Sequence, residues 1–154
     1  MNMQDMRPKN NDHQIVSFTG QHEFLSNFFV RHFAYRDVVY SSAEHAYQAA
    51  KAITMEDHNL VMNATTPREA RRLGQKIAMH ADWEEVRLPT LHEILVAKFQ
   101  QHSDLLAKLL ETSPKLLIEG NTWGDKFWGA VYERNAWNGE NNLGKLLMKL
   151  RDGK

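Results

Sequence analysis

Glu44, Gln48 and Lys51 stand at positions i, i+4 and i+7 of the stretch Ser41-Ser42-Ala43-Glu44-His45-Ala46-Tyr47-Gln48-Ala49-Ala50-Lys51. At about 100° per residue these three share one side of a helix, with Ala43, Ala46, Tyr47 and Ala50 on the other. A carboxylate, an amide and an amine held in fixed relation by an apolar back are the parts of a preorganised site. The same residues also have a purely structural reading. Ser41-x-x-Glu44 fits a capping box, in which Glu44 reaches back to the first amide of the helix, and Gln48 and Lys51 would then form a solvated face.

A second concentration of chemistry lies further on. Glu119-Gly120-Asn121-Thr122-Trp123-Gly124-Asp125-Lys126-Phe127-Trp128-Gly129 is followed by Asn138-Gly139-Glu140-Asn141-Asn142-Leu143-Gly144. A loop rich in Gly, Asn, Trp and acids, leaving a strand and feeding a helix start, is a common place for a binding site. The aromatic faces of Trp123, Trp128 and Trp137 beside acids suit a base stacked over a ribose. The alternative is a surface loop whose tryptophans plug the core.

The elements that must carry these residues can be read from periodicity. Gln14–Phe18 reads as a strand, and Phe28–Val30 with Arg36–Tyr40 as a pair of short strands ahead of the Glu44 helix. Thr66-Pro67-Arg68-Glu69 offers an N-cap, a proline at N1 and a glutamate at N3, predicting a helix to about Met79 with Gly74 as a soft point. Apolar residues recur at helical spacing from Leu91 to Gln101 and from Asp104 to Glu111, as two helices or one broken near Ser103. Leu116-Leu117-Ile118 reads as a buried strand, and Leu143, Leu146, Leu147 and Leu150 set a closing amphipathic helix. The fold class is therefore α+β: a mostly α-helical single domain with a few short strands over 14–152, after a flexible tail at 1–13.

Composition narrows the function classes. Nineteen basic and nineteen acidic residues cancel, so the chain lacks the one-signed field of a general nucleic-acid coat. That balance leans toward a small molecule or a single modified nucleotide. There is no cysteine, which excludes disulfides and thiol catalysis and suits a cytoplasmic protein. The start has no apolar segment of the secretory type, and no run approaches the roughly twenty apolar residues of a membrane span. Eight histidines form no His-x-Glu or His-x-x-x-His pair, so a metal site is not expected.

Taken in order, several pieces resemble the NADAR, or YbiA-like, family along nearly the whole chain after the tail. They include Phe24-Leu25-Ser26-Asn27-Phe28, Ser42 through Lys51, Arg72-Leu73-Gly74, Trp83 with Arg87, and Ala97-Lys98-Phe99-Gln100-Gln101. Further on come Leu109-Leu110-Glu111-Thr112, Leu116-Leu117-Ile118-Glu119, Asp125-Lys126-Phe127-Trp128-Gly129, Gly139 through Gly144, and Leu147-Met148-Lys149-Leu150-Arg151. The resemblance implies an N-glycosidase that cleaves the C–N bond between a ribosyl phosphate or ADP-ribose and a base, with no cofactor and no metal. Its substrates would be phosphoribosylamino-pyrimidine intermediates of riboflavin synthesis or ADP-ribosylated guanine in nucleic acid. Carried over on the match, Glu44, Lys51 and Asp125 are the catalytic set. Asn27, Gln48, Glu119, Trp128, Gly129 and Asn141 are the substrate-binding set. The rival is a catalytically idle module that binds ADP-ribose or a NAD-like ligand. One departure stands out: Trp128-Gly129 is followed by Ala130 and an insert, Val131 to Asn138, expected to border the pocket.

Cleaving such a bond builds positive charge on C1′ and O4′ while the base leaves with the electron pair. Glu44 suits the role of stabilising that charge or activating water, with Asp125 assisting. Lys51 would attack a ring-opened aldehyde as a Schiff-base amine or, lying about 10 Å from Glu44 along the helix axis, bind phosphate instead.

Overall fold

Arg36 and Asp37 both take positive φ, 50° and 65°, and so make the two-residue left-handed turn whose twist matches that of the strands it joins. Arg134 and Asn135 repeat it, at 54° and 64°. The structure, a computed structural model, describes residues 7–153. In chain order the elements are β1 (Gln14–Ile15), a 3-10 helix (Gly20–Leu25), β2 (Val30–Tyr35), β3 (Val38–Ser42), α1 (Ala43–Ala50), α2 (Met55–Met62), α3 (Pro67–Gly74) and α4 (Trp83–Gln100). There follow α5 (Ser103–Glu111), β4 (Leu116–Leu117), β5 (Val131–Glu133), β6 (Ala136–Asn138) and α6 (Asn142–Asp152). The fold is α+β and mostly helical, with three two-stranded sheets among the described residues. The chain forms two compact units: one is Asn27–Ser103, and the other joins the described residues up to Ser26 to those from Asp104 onward.

In the first unit β2 and β3 pair antiparallel from Tyr35↔Val38 to Val30↔Ser42, with an irregularity between Val30 and Phe33. Both strands lie further along than the pattern predicts, because the turn falls at Arg36-Asp37. Helix α1 packs on β3, α2, α3 and α4, and every residue from Ala43 to Ala49 is buried. It is thus enclosed nearly all round, where one apolar side was expected. Helix α2 was not foreseen; Thr54 caps it by accepting from Asp57 N at 3.1 Å. Thr66 caps α3 at Glu69 N, 3.0 Å, with Pro67 in the first turn, as its sequence predicts. That helix stops at Gly74 rather than near Met79. Helix α4 begins at Trp83, two turns before the expected Leu91, and carries Pro89 in its interior with the ring exposed. Leu91, Ile94, Leu95 and Phe99 bury its inner face.

In the second unit β1 pairs with β4 in parallel, Gln14↔Leu116 and Ile15↔Leu117. Residues 1–6 of the expected tail lie outside the described residues. Asn10 Oδ1 accepts from Val16 N at 2.8 Å, and Asn11 Oδ1 from His13 N at 2.7 Å and Gln14 N at 3.1 Å, so two asparagines anchor β1. Helix α6 buries Leu143 and Leu147 and comes so close to β4 that a Cβ on Gly144 would overlap the Leu117 carbonyl. Near its end Arg151 is buried, donating to Lys115 O at 2.7 Å. The 131–138 insert is the β5–β6 hairpin. Trp137 lies over Val16, Ile118 and Ala130, so it fills this unit's core as the structural reading of the tryptophans allowed. No helix among the described residues is long and apolar enough to cross a membrane.

Candidate active site

The cap of α1 is Ser42, not Ser41. Its Oγ accepts from His45 N at 3.2 Å and meets His45 Nδ1 at 2.7 Å. The opposite nitrogen, Nε2, lies 2.9 Å from the Ala64 carbonyl, which only accepts; Nε2 therefore carries the hydrogen and Nδ1 receives the serine hydroxyl. Burial lowers the His45 pKa, in keeping with a neutral ring that clamps the helix start. With Ser42 as cap, Glu44 is the second helical residue, and the capping-box role expected for it falls away.

Glu44 is 7% exposed. Its backbone N–H donates to Asn27 O at 2.9 Å, tying the helix start to the segment before β2. Gln48, one turn along and 4% exposed, donates from Nε2 to Glu44 Oε1 at 2.8 Å. Its own Oε1 has no hydrogen-bond partner and lies against Gly74, where a Cβ would overlap it. Gly74 is thus no soft point: the missing Cβ lets α3 close on α1 and fixes the amide that holds Glu44. Asn27 is also buried, with Oδ1 unpartnered. A buried acceptor without a donor costs free energy, and a hydroxyl-bearing ligand would supply the donor.

Lys51 is half-buried at the C-cap of α1, its Nζ 5.7 Å from the Tyr47 ring centre. Burial lowers its pKa, Glu44 opposes that, and Arg71 and Arg87 add to it. A second lysine goes further. Lys98 on α4 is 1% exposed, with Nζ 5.6 Å and 5.1 Å from the ring centres of Phe29 and Phe99, and burial pushes its pKa down to about 7. Lys98 belongs to the Ala97-Lys98-Phe99-Gln100-Gln101 piece and has no role among those expected from the sequence. The signal was present: Leu91, Ile94, Leu95, Lys98 and Phe99 make one i, i+3, i+4, i+7, i+8 stripe, so the pattern places a lysine on the buried face.

The first unit therefore holds Asn27, Glu44, Gln48 and Lys51. The second holds Glu119, Asp125, Trp128, Gly129 and Asn141, and there the Asp125 and Asn141 side chains serve the backbone. Asp125 Oδ1 accepts from Phe127 N at 3.0 Å and Trp128 N at 2.9 Å. Asn121 Oδ1 accepts from Asp125 N at 3.0 Å, and its Nδ2 donates to Asp125 O at 2.8 Å; it organises the loop and was not singled out from sequence. Asn141, at φ 51°, accepts from Glu119 N at 3.0 Å and donates to Leu117 O at 2.9 Å. A Cβ on Gly129 would overlap the Glu119 carbonyl, so glycine is required where the two arms of the loop meet. Trp128 is half-buried, edge-on to Phe127 at 4.7 Å. No group of three or more His, Cys, Asp or Glu side chains among the described residues is placed to hold a metal ion.

A buried carboxylate braced by an amide on an enclosed helix is a site for acid–base or charge-stabilising chemistry on a polar ligand. Comparison with known proteins gives that class a family. The NADAR domain matches residues 7–153. N-glycosidase Npun_R5314 of Nostoc punctiforme is 35% identical over 133 residues, covering 83% of each chain. Riboflavin biosynthesis protein VVA0006 of Vibrio vulnificus is 31% identical over 133 residues, 85% of this chain and 35% of that protein. The NMR structure of the E. coli protein YbiA superposes with a TM-score of 0.80 at 30% identity, covering 97% of this chain and 89% of that one. The chain belongs to the NADAR family and is an N-glycosidase.

Proposed function

We infer that the chain hydrolyses the bond between C1′ of a ribosyl phosphate and the nitrogen of a pyrimidine or related base, with Glu44 as the catalytic carboxylate. The observation that carries this reading is the Glu44–Gln48 pair: a carboxylate 7% exposed, with one oxygen held at 2.8 Å by an amide that is itself wedged in place. As the C–N bond breaks, its electron pair goes to the base and positive charge gathers on C1′ and O4′. A carboxylate fixed beforehand stabilises that charge without reorganising. Water then adds to C1′, and its proton passes to Glu44 and on to the departing base. Asn27 Oδ1, buried and lacking a donor, suits a ribose hydroxyl. A phosphoribosylamino-pyrimidine fits the reading because a relative bears a riboflavin-biosynthesis name, and because the chain has no net charge with which to track long nucleic acid.

The test is base release, followed by chromatography, from a ribosylaminopyrimidine phosphate and from an oligonucleotide carrying ADP-ribosylguanine, with wild type and Glu44→Ala. Glu44-dependent release from the first alone is the expected result. Release from the second alone moves the substrate to modified guanine; binding without release from either overturns the reading in favour of a ligand-binding module.

A further inference from the structure

The β2–β3 sheet has two strands among the described residues, so each leaves one edge without a strand beside it. On β2 the outward groups follow from the turn. Arg36 and Asp37 close a two-residue hairpin, which makes Tyr35↔Val38 a hydrogen-bonded pair and Ala34↔Val39 a non-bonded one. The Ala34 N–H and C=O therefore point away from β3. Helix α4 lies along that edge. Gln101, at its C-cap, accepts from Ala34 N at 2.8 Å through Oε1 and donates to Ala34 O at 2.7 Å through Nε2. His102 Nε2 lies 2.7 Å from His32 O, and since a carbonyl only accepts, the ring nitrogen donates. Toward the turn, Glu93 Oε2 accepts from the Tyr35 hydroxyl at 2.6 Å and from Arg36 Nη2 at 3.0 Å. A carboxamide carries the donor and the acceptor of a peptide group. Gln101 thus makes with one side chain the two bonds that a neighbouring strand would make.

We propose that the outer edge of β2 is a self-association surface held closed by Gln101 and His102, and that the partner it takes once they are removed is a second copy of this chain, joined by antiparallel β2–β2 pairing. An open strand edge is a template for another strand, and lysine and proline are the residues that most often blunt it. Val30-Arg31-His32-Phe33-Ala34-Tyr35 contains neither. Ala34 is exposed, and Val39, its cross-strand neighbour, is 60% exposed, so the open face beside the edge is small and apolar. The edge is also self-complementary. About a two-fold axis at Ala34, the two Ala34 residues exchange both N–H···O=C bonds and recover what Gln101 gave up. The irregularity between Val30 and Phe33 interrupts the strand, which centres the pairing on Phe33–Tyr35. The guard belongs to the hairpin edge and is independent of the N-glycosidase chemistry.

Sedimentation velocity over a range of concentrations compares wild type, Gln101→Ala/His102→Ala, and that double variant with Ala34→Lys added. Circular dichroism and thermal melts check that each is folded. The mass of the double variant is expected to rise with concentration toward twice that of wild type under the same conditions. Ala34→Lys should return it to the wild-type value, because the pairing sets residue 34 against its own copy and so brings two like charges together. A folded double variant with the mass of wild type overturns the inference. So does a rise in mass that Ala34→Lys leaves in place, since association then runs through another face or through unfolded chain. If the double variant does not fold, Gln101→Asn, whose amide falls one methylene short of Ala34, takes its place with the same outcomes. Amide hydrogen exchange at low concentration supplies a second readout. The Ala34 N–H should exchange at least tenfold more slowly in wild type than in Gln101→Asn, and equal rates overturn the guard.

Discussion

Gln48 holds Glu44 at 2.8 Å through its Nε2, while its Cβ would lie 2.8 Å from a Cβ on residue 74. Glycine at position 74 is therefore what keeps the amide aimed at the carboxylate. Alanine there favours the helix by up to about 1 kcal/mol yet must push Gln48 aside. Gly74→Ala should retain cooperative unfolding and lose roughly tenfold in kcat, since an interaction made by a positioned group is weakened by small displacements. Glu44→Gln should lose about 10²–10⁴-fold in kcat. Steady-state kinetics beside thermal melts check both, and a Gly74→Ala enzyme of wild-type kcat would remove Gln48 from the positioning role.

Asp125 Oδ1 accepts from two loop amides, and those bonds test whether its charge also serves the chemistry. Asparagine preserves an Oδ1 acceptor for Phe127 N and Trp128 N; alanine leaves both without it. Asp125→Ala should cost about 1–3 kcal/mol of stability, read by urea unfolding, and Asp125→Asn much less. Activity should follow stability. If Asp125→Asn melts like wild type but loses a hundredfold in kcat, the charge itself is needed and Asp125 returns to the catalytic set.

Trp128 presents an indole that is edge-on to Phe127 and half-buried. Stacking of a base on an aromatic side chain is worth about 1–3 kcal/mol. Trp128→Ala should therefore raise KM at least tenfold with little change in kcat, while its backbone amide continues to serve Asp125. Quenching of tryptophan fluorescence by a pyrimidine riboside, present in wild type and lost in this variant, is the independent readout. An unchanged KM excludes the stacking role.

The parts of this architecture that follow periodicity were legible in the chain. The Leu143 to Leu150 spacing gives α6, and Thr66-Pro67 gives the start of α3, because burial and capping act within a few residues. The Glu44, Gln48 and Lys51 face was likewise visible. What escaped depends on tertiary context or on atypical turn chemistry. The β5–β6 hairpin turns at Arg134-Asn135, where the recognisable signal would be Asn-Gly, so its strands read as a loop. Ser41 and Ser42 are equally good caps on paper; His45, bridging Ser42 and the Ala64 carbonyl, decides between them. The position of Asp125 in the sequence does not disclose that its oxygen is used by two amides. Gly74 looked like a weak point because its value lies in a neighbouring helix.

Lys98 gives the sharpest pH prediction. Its pKa is 10.5 when exposed and about 7 in the folded chain, through burial. Between those values the unfolded chain holds a proton there that the native chain lacks, so unfolding takes up a proton and stability rises with pH. Below pH 7 both states are protonated, and the folded protein bears the cost of burying the Lys98 ammonium beside the Phe29 and Phe99 rings, on the order of a few kcal/mol. Lys98→Met, of similar length and without the charge, should be more stable than wild type by that amount near pH 6. The gap should shrink by about 1.4 kcal/mol for each pH unit above 7 and close near pH 10. Urea unfolding of both proteins at pH 6, 7.5 and 9 measures it. Parallel stability curves would mean that Lys98 keeps an ordinary pKa, and that its burial is balanced by a partner charge rather than by giving up its proton.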